Sequence, residues 1–525
     1  MGIKIKNVLI SDAVDESCVK LLQENNINVT CLYKLTPEQL LEEIPKYDGL
    51  VVRSDTKVTA EVLQASNLQV VGRAGTGVDN IDLTAATRKG VLVLNAPGGN
   101  FISACELTCS LISALSRNVP QGCQSLKEGK WDRKLYTGTE LYGKTLAVLG
   151  LGRIGREVAL RMQAFGMKVI GFDPMVSVED AAKLNIASLG LEDIWPLADY
   201  ITVHTPLIPQ TKNLINAEVL KKCKKGVRVV NVARGGIVDE NALLDSLKCG
   251  HCGGAALDVF CEEPPKSEQT FELIKHPKVI VTPHLGASTK EAQIRVAVEI
   301  AEQFIALANT NPQYTSIQGV LNAPALAASR NPENTSWISL ARSLGKISSQ
   351  LLQTSTFSST AFSLVTQGAE LKNKQFLTTP VQIGLLSGRT SNGLNFINVN
   401  TYASEGGLKV AYEHDPSSSQ NLVALAFGSN VAKHVLTGTV RNGSPHLLAI
   451  DDAQFEPSGV ILSEQLLLHK LEQSQDLASI INELTAQSIP FSNLAIARGQ
   501  NSWIAITTSE VLQSKPPAAK FISLA

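Results

Sequence analysis

The sequence predicts an α/β protein with two Rossmann-like parallel-sheet domains, followed by two smaller α+β domains. Three observations carry that prediction. Short β-rich runs alternate with helical segments over residues 7–95, and a glycine turn at Gly150–Gly155 opens a second stretch of the same alternation. After about Gln313 the chain turns rich in Ser, Thr, Asn and Ala, and no such glycine turn recurs. Strand–helix alternation at this spacing gives parallel sheets wrapped by helices on both faces. A chain of 525 residues also exceeds the roughly 250–300 at which a single core stops growing.

In the first unit the strands are expected at Val8–Ser11, Asn28–Cys31, Gly49–Val52, Leu68–Val71 and Val91–Leu94. Thr36-Pro37-Glu38 supplies an N-cap and a proline at the first helical position. Ligands of such sheets bind beyond the carboxyl ends of the strands. Three turns therefore matter: Arg53-Ser54, Gly75-Thr76-Gly77 and Ala96-Pro97-Gly98-Gly99-Asn100. Glycines beside an arginine suit a small anion, although glycines also serve plain turns. From Asn100 a long helix, Ile102 to about Ser116, leads out of the unit, and the segment through Lys127–Arg133 leads to the next.

The second unit is organised by Thr145–Leu149, a strand, followed at once by Gly150-Leu151-Gly152-Arg153-Ile154-Gly155. A helix then runs to about Phe165 with Val158, Met162 and Phe165 on one stripe, and the strand Lys168–Gly171 leads to Asp173. This is the full context of a dinucleotide fingerprint rather than a lone glycine pattern. Gly150 permits the tight turn, Gly152 lets a pyrophosphate approach the backbone, and Gly155 lets helix and strand pack closely. The helix N-terminus offers free N–H groups to that pyrophosphate. An acid at Asp173 accepts bonds from ribose hydroxyls and repels a 2′-phosphate, so NAD is expected rather than NADP.

Further strands are expected at Tyr200–Val203, Arg228–Val232, Ala255–Asp258 and Val279–Thr282. Each is followed by polar residues: His204-Thr205-Pro206, Ala233-Arg234-Gly235-Gly236, the run Asp258 to Glu263, and Pro283-His284. An arginine, an acid and a histidine on one edge can handle a hydroxy acid. Arg234 can clamp a carboxylate bidentately. The His284 imidazole, with a reference pKa of about 6.5, can exchange a proton with a hydroxyl. Glu262 or Glu263 could fix its tautomer, and spacing alone does not choose between them. A capping box, Ser288-Thr289-Lys290-Glu291, then starts a helix running to about Leu307.

Beyond it, Ala361–Gln367 and Val435–Val440 read as strands, and Asn442-Gly443 as a hairpin turn before His446–Ile450. A strand at Glu464–Lys470, a helix marked by Leu477, Ile480, Ile481 and Leu484, and strands at Asn493–Ala497 and Ser502–Thr507 give the order of a ferredoxin-like domain.

Composition excludes several classes. A net charge of −1 offers no basic field for nucleic acid, and no apolar run reaches the ~18 residues of a membrane span. The start MGIKIK lacks a signal peptide's apolar region, and Lys6 stands where a myristoylation signal needs Ser or Thr. Nine cysteines fit reduced thiols in a cytosolic protein. Cys249-Gly-His-Cys252 has no second pair at zinc spacing, so no metal is expected.

The strings GLGRIG…FDP, HTPL, NVARGGIVDE, ALDVF-x-EEPP and PHLGAST together resemble the D-isomer-specific 2-hydroxyacid dehydrogenase family. Within it, RAGTGVDNIDL, the chain length and the C-terminal extension resemble the long, animal-like members that act on a phosphorylated hydroxy acid. The resemblance implies NAD-dependent oxidation of 3-phosphoglycerate. It also implies a discontinuous substrate domain (1–99 and 283–312) and an inserted NAD domain (100–282). An intervening allosteric-substrate-binding-like domain (313–452) and a regulatory domain of the ACT type (453–525) would follow. It assigns Arg234 to substrate and cofactor, His284 to proton exchange, and Glu263, the second glutamate before the prolines, to the support of that histidine. Cofactor contacts would fall on Thr76, Gly150, Gly152, Arg153, Ile154, Gly155, Asp173, Thr205, Val232, Ala233, Asp258, Leu285, Gly286 and Ala287, with Arg234 and His284 beside them. Substrate contacts would fall on Arg53, Ser54, Gly75, Gly77, Asn100 and Arg133. A homotetramer is implied, with nucleotide domains pairing through Ile102–Ser116. Between the strand near Leu471 and the helix at Leu477 stands Glu472-Gln-Ser-Gln-Asp476, where ligand-responsive members carry glycine, so inhibition by serine is not expected. Two other activities fit the same motifs: reduction of glyoxylate or hydroxypyruvate, and an NAD-sensing corepressor or scaffold.

Overall fold

The computed structural model describes residues 3–352, 357, 360–389, 393–428, 433–462, 465–471, 476–486, 490, 492–499, 501–508 and 520–524. Its first sheet contains β1 (Asn7–Ile10), β2 (Asn28–Cys31), β3 (Gly49–Val52), β4 (Val70–Arg73) and β5 (Leu92–Asn95). All are parallel, in the order β2-β1-β3-β4-β5. Strands buried on both faces read as near-continuous apolar runs, as Gly49–Val52 and Leu92–Asn95 do. The register Gly49↔Val70 moves the fourth strand two residues along from Leu68–Val71. Arg73 thereby becomes the last residue of β4, at the carboxyl edge. Thr36 forms the expected cap, with Gln39 closing a capping box and Pro37 at the first helical position.

The second sheet contains β6 (Thr145–Leu149), β7 (Lys168–Phe172), β8 (Ala187–Ser188), β9 (Tyr200–Val203), β10 (Val227–Asn231), β11 (Cys252–Leu257) and β12 (Val279–Val281). Its order is β12-β11-β10-β9-β6-β7-β8, again all parallel. The strand order reverses direction between β6 and β9, and a crevice at such a switch point receives the ligand. The helix Arg153–Ala164 buries Val158 and Met162. Phe165, expected on the same stripe, is its C-cap and stands 54% exposed, because the chain turns away there at Gly166.

The helix Phe101–Arg117 packs on the second unit, against Arg153–Ala164, β10 and β11. The helix Lys290–Ala308 returns to the first unit, against Glu16–Glu24 and β4. There Phe304 is fully buried, a side chain worth about 1.5–3 kcal/mol in transfer from water. The cap of this helix is Thr289, whose Oγ1 accepts from Ala292 N, and not Ser288.

One mixed sheet runs through both C-terminal units. Ala361–Gln367, Leu422–Gly428, Lys433–Arg441 and Ser444–Ile450 pair antiparallel, and Asn442-Gly443, both at positive φ, close the expected hairpin. Ala453–Phe455 joins this part to Asn493–Arg498 of the terminal unit. There the strands lie in the order Asn493–Arg498, Ser502–Thr508, Gln465–Leu471, Lys520–Ser523, that of a ferredoxin-like sheet. Residues 472–475, on which the reading of effector response rests, lie outside the described residues. Among the described residues no helix is long and apolar enough to cross a membrane.

Candidate active site

The cradle at the switch point is built by contacts that require its glycines. Gly150 has φ +95° and a Cβ there would stand 2.5 Å from the His204 carbonyl oxygen. A Cβ on Gly155 would stand 2.0 Å from the Gly150 carbonyl oxygen. Gly152 is different: a Cβ would meet nothing within 4 Å. The space over Gly152 is therefore open to a ligand. Gly152 is also the N-cap of Arg153–Ala164 and no side chain caps that helix, which leaves its first N–H groups, at Arg153 and Ile154, to an anion. Asp173 ties the loop to the strand edge: Oδ2 accepts from Leu151 N at 2.8 Å and Oδ1 from Met175 N at 2.8 Å. Thr205 closes the other side, and its buried Oγ1 has no hydrogen-bond partner among the described residues. An orphaned hydroxyl, an open glycine and uncapped N–H groups fit a dinucleotide pyrophosphate. His204 is half-buried, with Nε2 3.0 Å from Thr202 Oγ1. Burial pulls it down to about 3, so it is neutral and takes no part in proton exchange.

Asp258 is fully buried at the end of β11. Its carboxylate accepts from Thr282 Oγ1 at 2.5 Å, Leu285 N at 2.7 Å and Gly286 N at 2.9 Å, and its carbonyl from His284 N at 2.9 Å. These bonds hold His284 at φ +54°, a left-handed conformation that a non-glycine residue keeps only when its surroundings enforce it. Asp258 thus shapes the loop Pro283–Ala287. Gly286 packs over Val232, Leu285 stands exposed beside His284, and Ala287 O accepts from Gln293 Nε2.

His284 Nδ1 lies 2.6 Å from Glu263 Oε2, while Glu263 Oε1 accepts from Phe260 N at 3.0 Å. Glu262 instead pairs outward with Lys266. The hydrogen bond to Glu263 raises the His284 pKa against the opposing effect of burial. Burial pushes the Glu263 carboxyl up, but the bonds from His284 and Phe260 N–H and the charges of His284 and Arg234 hold it below the usual carboxylate value. The bond to Glu263 occupies His284 Nδ1 and leaves the ring's Nε2 outside it.

Arg234 follows β10 in a turn stapled by buried Asn231, whose Oδ1 accepts from Ala233 N and whose Nδ2 donates to Arg234 O. The guanidinium reaches across the cleft: Nε donates to Asp79 Oδ2 at 3.1 Å, and a Cβ on Gly77 would collide with Nη2. In the facing unit, buried Asp12 accepts from Arg53 N, Thr56 N and Thr56 Oγ1. Asn80 holds Arg53 O and Thr56 O. Arg73, which sequence reasoning missed, donates from Nε to Arg53 O, with Nη1 3.0 Å from where a Gly75 Cβ would be. Burial, then the charge of Arg234, pulls it down to about 10, and Arg53 adds to the effect. It is still cationic at neutral pH, while the Arg53 guanidinium donates from Nη1 to Ala13 O at 3.2 Å, and the like charges acting on Arg73 favour a bound anion. The only sequence signal is its place in RAGTG, two residues past the expected strand end at Val71 and just ahead of the glycine turn. Thr76 Oγ1 donates to Asn100 Oδ1 at 2.5 Å. Ser54 is exposed and bonds Asp55. Arg133 is exposed on the lead-in segment and, among the described residues, outside this network. Cys249 and Cys252 form no site, since Cys252 is buried with its thiol on Val227 O and Gly254 O. Among the described residues no cluster of three or more His, Cys, Asp or Glu side chains could hold a metal.

A cleft so equipped is that of a dinucleotide-linked dehydrogenase working on a hydroxyl beside a carboxylate. Residues 109–286 match the family model of the D-isomer specific 2-hydroxyacid dehydrogenase, NAD binding domain. The chain is 45% identical to the D-3-phosphoglycerate dehydrogenases of Rattus norvegicus and Homo sapiens, over 97% of this chain and 96% of each relative. It is 40% identical to that of Bacillus subtilis (strain 168), over 82% of this chain and 81% of the relative. Among solved structures, a protein from Thermus thermophilus superposes with TM-score 0.54 at 32% identity, covering 60% of this chain and 99% of that one. A D-lactate dehydrogenase from Aquifex aeolicus, complexed with NAD and lactic acid, superposes with TM-score 0.53 at 28% identity, over 59% and 97%. The chain belongs to the D-isomer-specific 2-hydroxyacid dehydrogenase family, in its D-3-phosphoglycerate dehydrogenase group, and its second unit is the family's NAD-binding domain.

Proposed function

We propose that the protein catalyses the NAD-dependent oxidation of D-3-phosphoglycerate to 3-phosphohydroxypyruvate, the first step of the phosphorylated route to L-serine. The observation that carries this reading is Arg234, whose charge acts on Arg73 in the first unit and on the His284–Glu263 pair in the second, in a chain that matches D-3-phosphoglycerate dehydrogenases along nearly its whole length. When bound, NAD supplies the hydride acceptor. Arg234 exchanges Asp79 for the substrate carboxylate, beside the turn Gly75-Thr76-Gly77. Arg53 and Arg73 take the phosphate, with Ser54, Asn100 and Arg133 as further contacts. Neutral His284 takes the hydroxyl proton at Nε2, and Glu263 stabilises the imidazolium so formed. Approach of the two units excludes water and aligns these groups.

On this reading the substrate domain is 1–99 with 283–312, the NAD domain 100–282, the intervening domain 313–452 and the ACT-like domain 453–525. The protein acts in the cytosol as a homotetramer, without a metal. Absorbance of NADH is followed with phosphohydroxypyruvate, hydroxypyruvate and glyoxylate in parallel. Strong preference for the phosphorylated ketoacid is expected. Equal rates on all three would overturn the substrate assignment, and no NADH oxidation with NADH still bound would overturn the enzymatic one.

A further inference from the structure

The chain crosses between the two α/β units twice, outward at Gly98–Asn100 and back at Leu285–Thr289. One helix, Lys290–Ala308, holds both crossings. On the outward one, Gly98 N donates to both carboxylate oxygens of Glu299, at 3.2 Å each, and Arg295 Nε donates to Gly99 O at 2.9 Å. Gly99 lies so close to the helix that a Cβ would stand 2.3 Å from Val296 Cγ1 and 2.9 Å from Val296 N. On the return, Gln293 Nε2 donates to Ala287 O at 2.7 Å. Ser103 Oγ and Thr289 Oγ1, 2.8 Å apart, tie the crossings to one another. Residues 295, 296 and 299 share one helix face at three- and four-residue spacing, with Gln293 at its edge three residues before Val296, so one helix carries the hinge.

We propose that Glu299 and Arg295 are positioning residues that set the angle between the substrate and NAD units, and through it the approach of Arg234 to the first unit. The carboxylate accepts at the point where the chain leaves, and the guanidinium fixes the next carbonyl. Neither side chain reaches the reacting atoms. Arg153, at the start of the fingerprint helix, acts electrostatically on the same carboxylate, whose pKa burial raises, while Glu302 adds to the rise.

The inference rests on the dehydrogenase reading for its kinetic arm only. Hydrogen exchange is first measured on the full chain without ligands at 75–80 and 233–236, the segments that meet through Asp79 and Arg234. Glu299→Ala is expected to raise exchange at both by at least about threefold, and Glu299→Gln, which keeps an acceptor for Gly98 N, to restore most of the protection. In turnover, Glu299→Ala is expected to lower kcat about tenfold, with the NADH Kd within about twofold, and Arg295→Ala to behave alike. Where Glu299→Ala fails to fold, Arg295→Lys and Glu299→Gln are compared with the parent by the same exchange measurement, and Arg295→Lys is expected to loosen both segments. Unchanged exchange at the two remote segments, or equal impairment by Ala and Gln at position 299, would overturn the clamp. Inactivity of the parent protein with the exchange result intact would overturn the substrate reading and leave the clamp standing.

Discussion

The Nδ1 atom of His284 lies 2.6 Å from Oε2 of Glu263, a residue 21 positions earlier in the chain. This contact raises the histidine's pKa and helps hold the carboxyl low. Reduction of a ketoacid needs the imidazolium, and oxidation of a hydroxy acid needs the neutral ring. The reductive kcat/KM is therefore expected to persist above the ordinary histidine value and to fall as pH rises through the raised one. Glu263→Gln should move that descending limb to lower pH, and a pH profile unaffected by the substitution would remove Glu263 from its role. His284→Ala should lower turnover by about 10²–10⁴-fold while NADH affinity, read by fluorescence titration, stays within a few-fold.

The same pair acts on stability with opposite signs. His284, raised in the fold, contributes stability that is complete below about pH 6.5 and is lost as pH rises through its folded value. Glu263, depressed in the fold, contributes stability present above about pH 4.3 and lost as pH falls through its folded value. Thermal melting of Glu263→Gln is expected to show a flatter pH dependence in both windows.

Two glycines of the fingerprint, the helix cap Gly152 and the helical Gly155, separate folding from cofactor binding. Gly155→Ala places a methyl 2.0 Å from the Gly150 carbonyl oxygen, so it should lower stability by about 1–3 kcal/mol and abolish NADH binding. Gly152→Ala meets no protein atom within 4 Å, so its Tm should stay within about 1 °C of the parent while the NADH Kd rises at least about tenfold. A Gly152→Ala protein with parental affinity would mean that the pyrophosphate lies elsewhere.

Asp173 is tested through cofactor choice. Its two oxygens each hold a loop N–H, and hydrogen bonds to a charged group are worth about 1.5–3 kcal/mol each. Asp173→Ser is expected to raise the KM for NADH about 10–100-fold and to improve NADPH use relative to NADH. Unchanged preference would place the ribose against another residue.

Arg53 and Arg73 are tested by the phosphate. Each alanine variant should raise the KM for phosphohydroxypyruvate about 10–100-fold, the loss expected for a charged contact of about 1.5–3 kcal/mol. The KM for glyoxylate should change little. Arg133→Ala measured beside them ranks the lead-in arginine against the two in the cleft. Equal losses on both substrates would assign the cluster to the carboxylate instead.

What could be read from the sequence was whatever neighbouring residues decide. The strand–glycine turn–helix at Thr145–Ala164, the cap at Thr36 and the hairpin at Asn442-Gly443 depend on local backbone geometry, so their residues name them. Strand ends were less legible, because pairing with a neighbour fixes them: the register Gly49↔Val70 runs the fourth strand on to Arg73, opposite Val52 at the sheet edge. Phe165 fits the apolar stripe by spacing, yet the helix ends beneath it.

The sequence by itself determined the two parallel sheets, the dinucleotide cradle and the presence of Arg234, Glu263 and His284 at strand ends, since alternation and turn chemistry act over a few residues. Only the tertiary structure decided between the glutamates by geometry, turned Asp258 into the pin of the histidine loop, and gathered Arg53, Arg73 and Arg234 around one cleft. It also gave the helix Lys290–Ala308 to the first unit while both crossings lean on it. The physical reason is common to all of these: they are contacts between residues far apart in the chain, and burial, charge and hydrogen bonding at those contacts exist only once the sheets have formed.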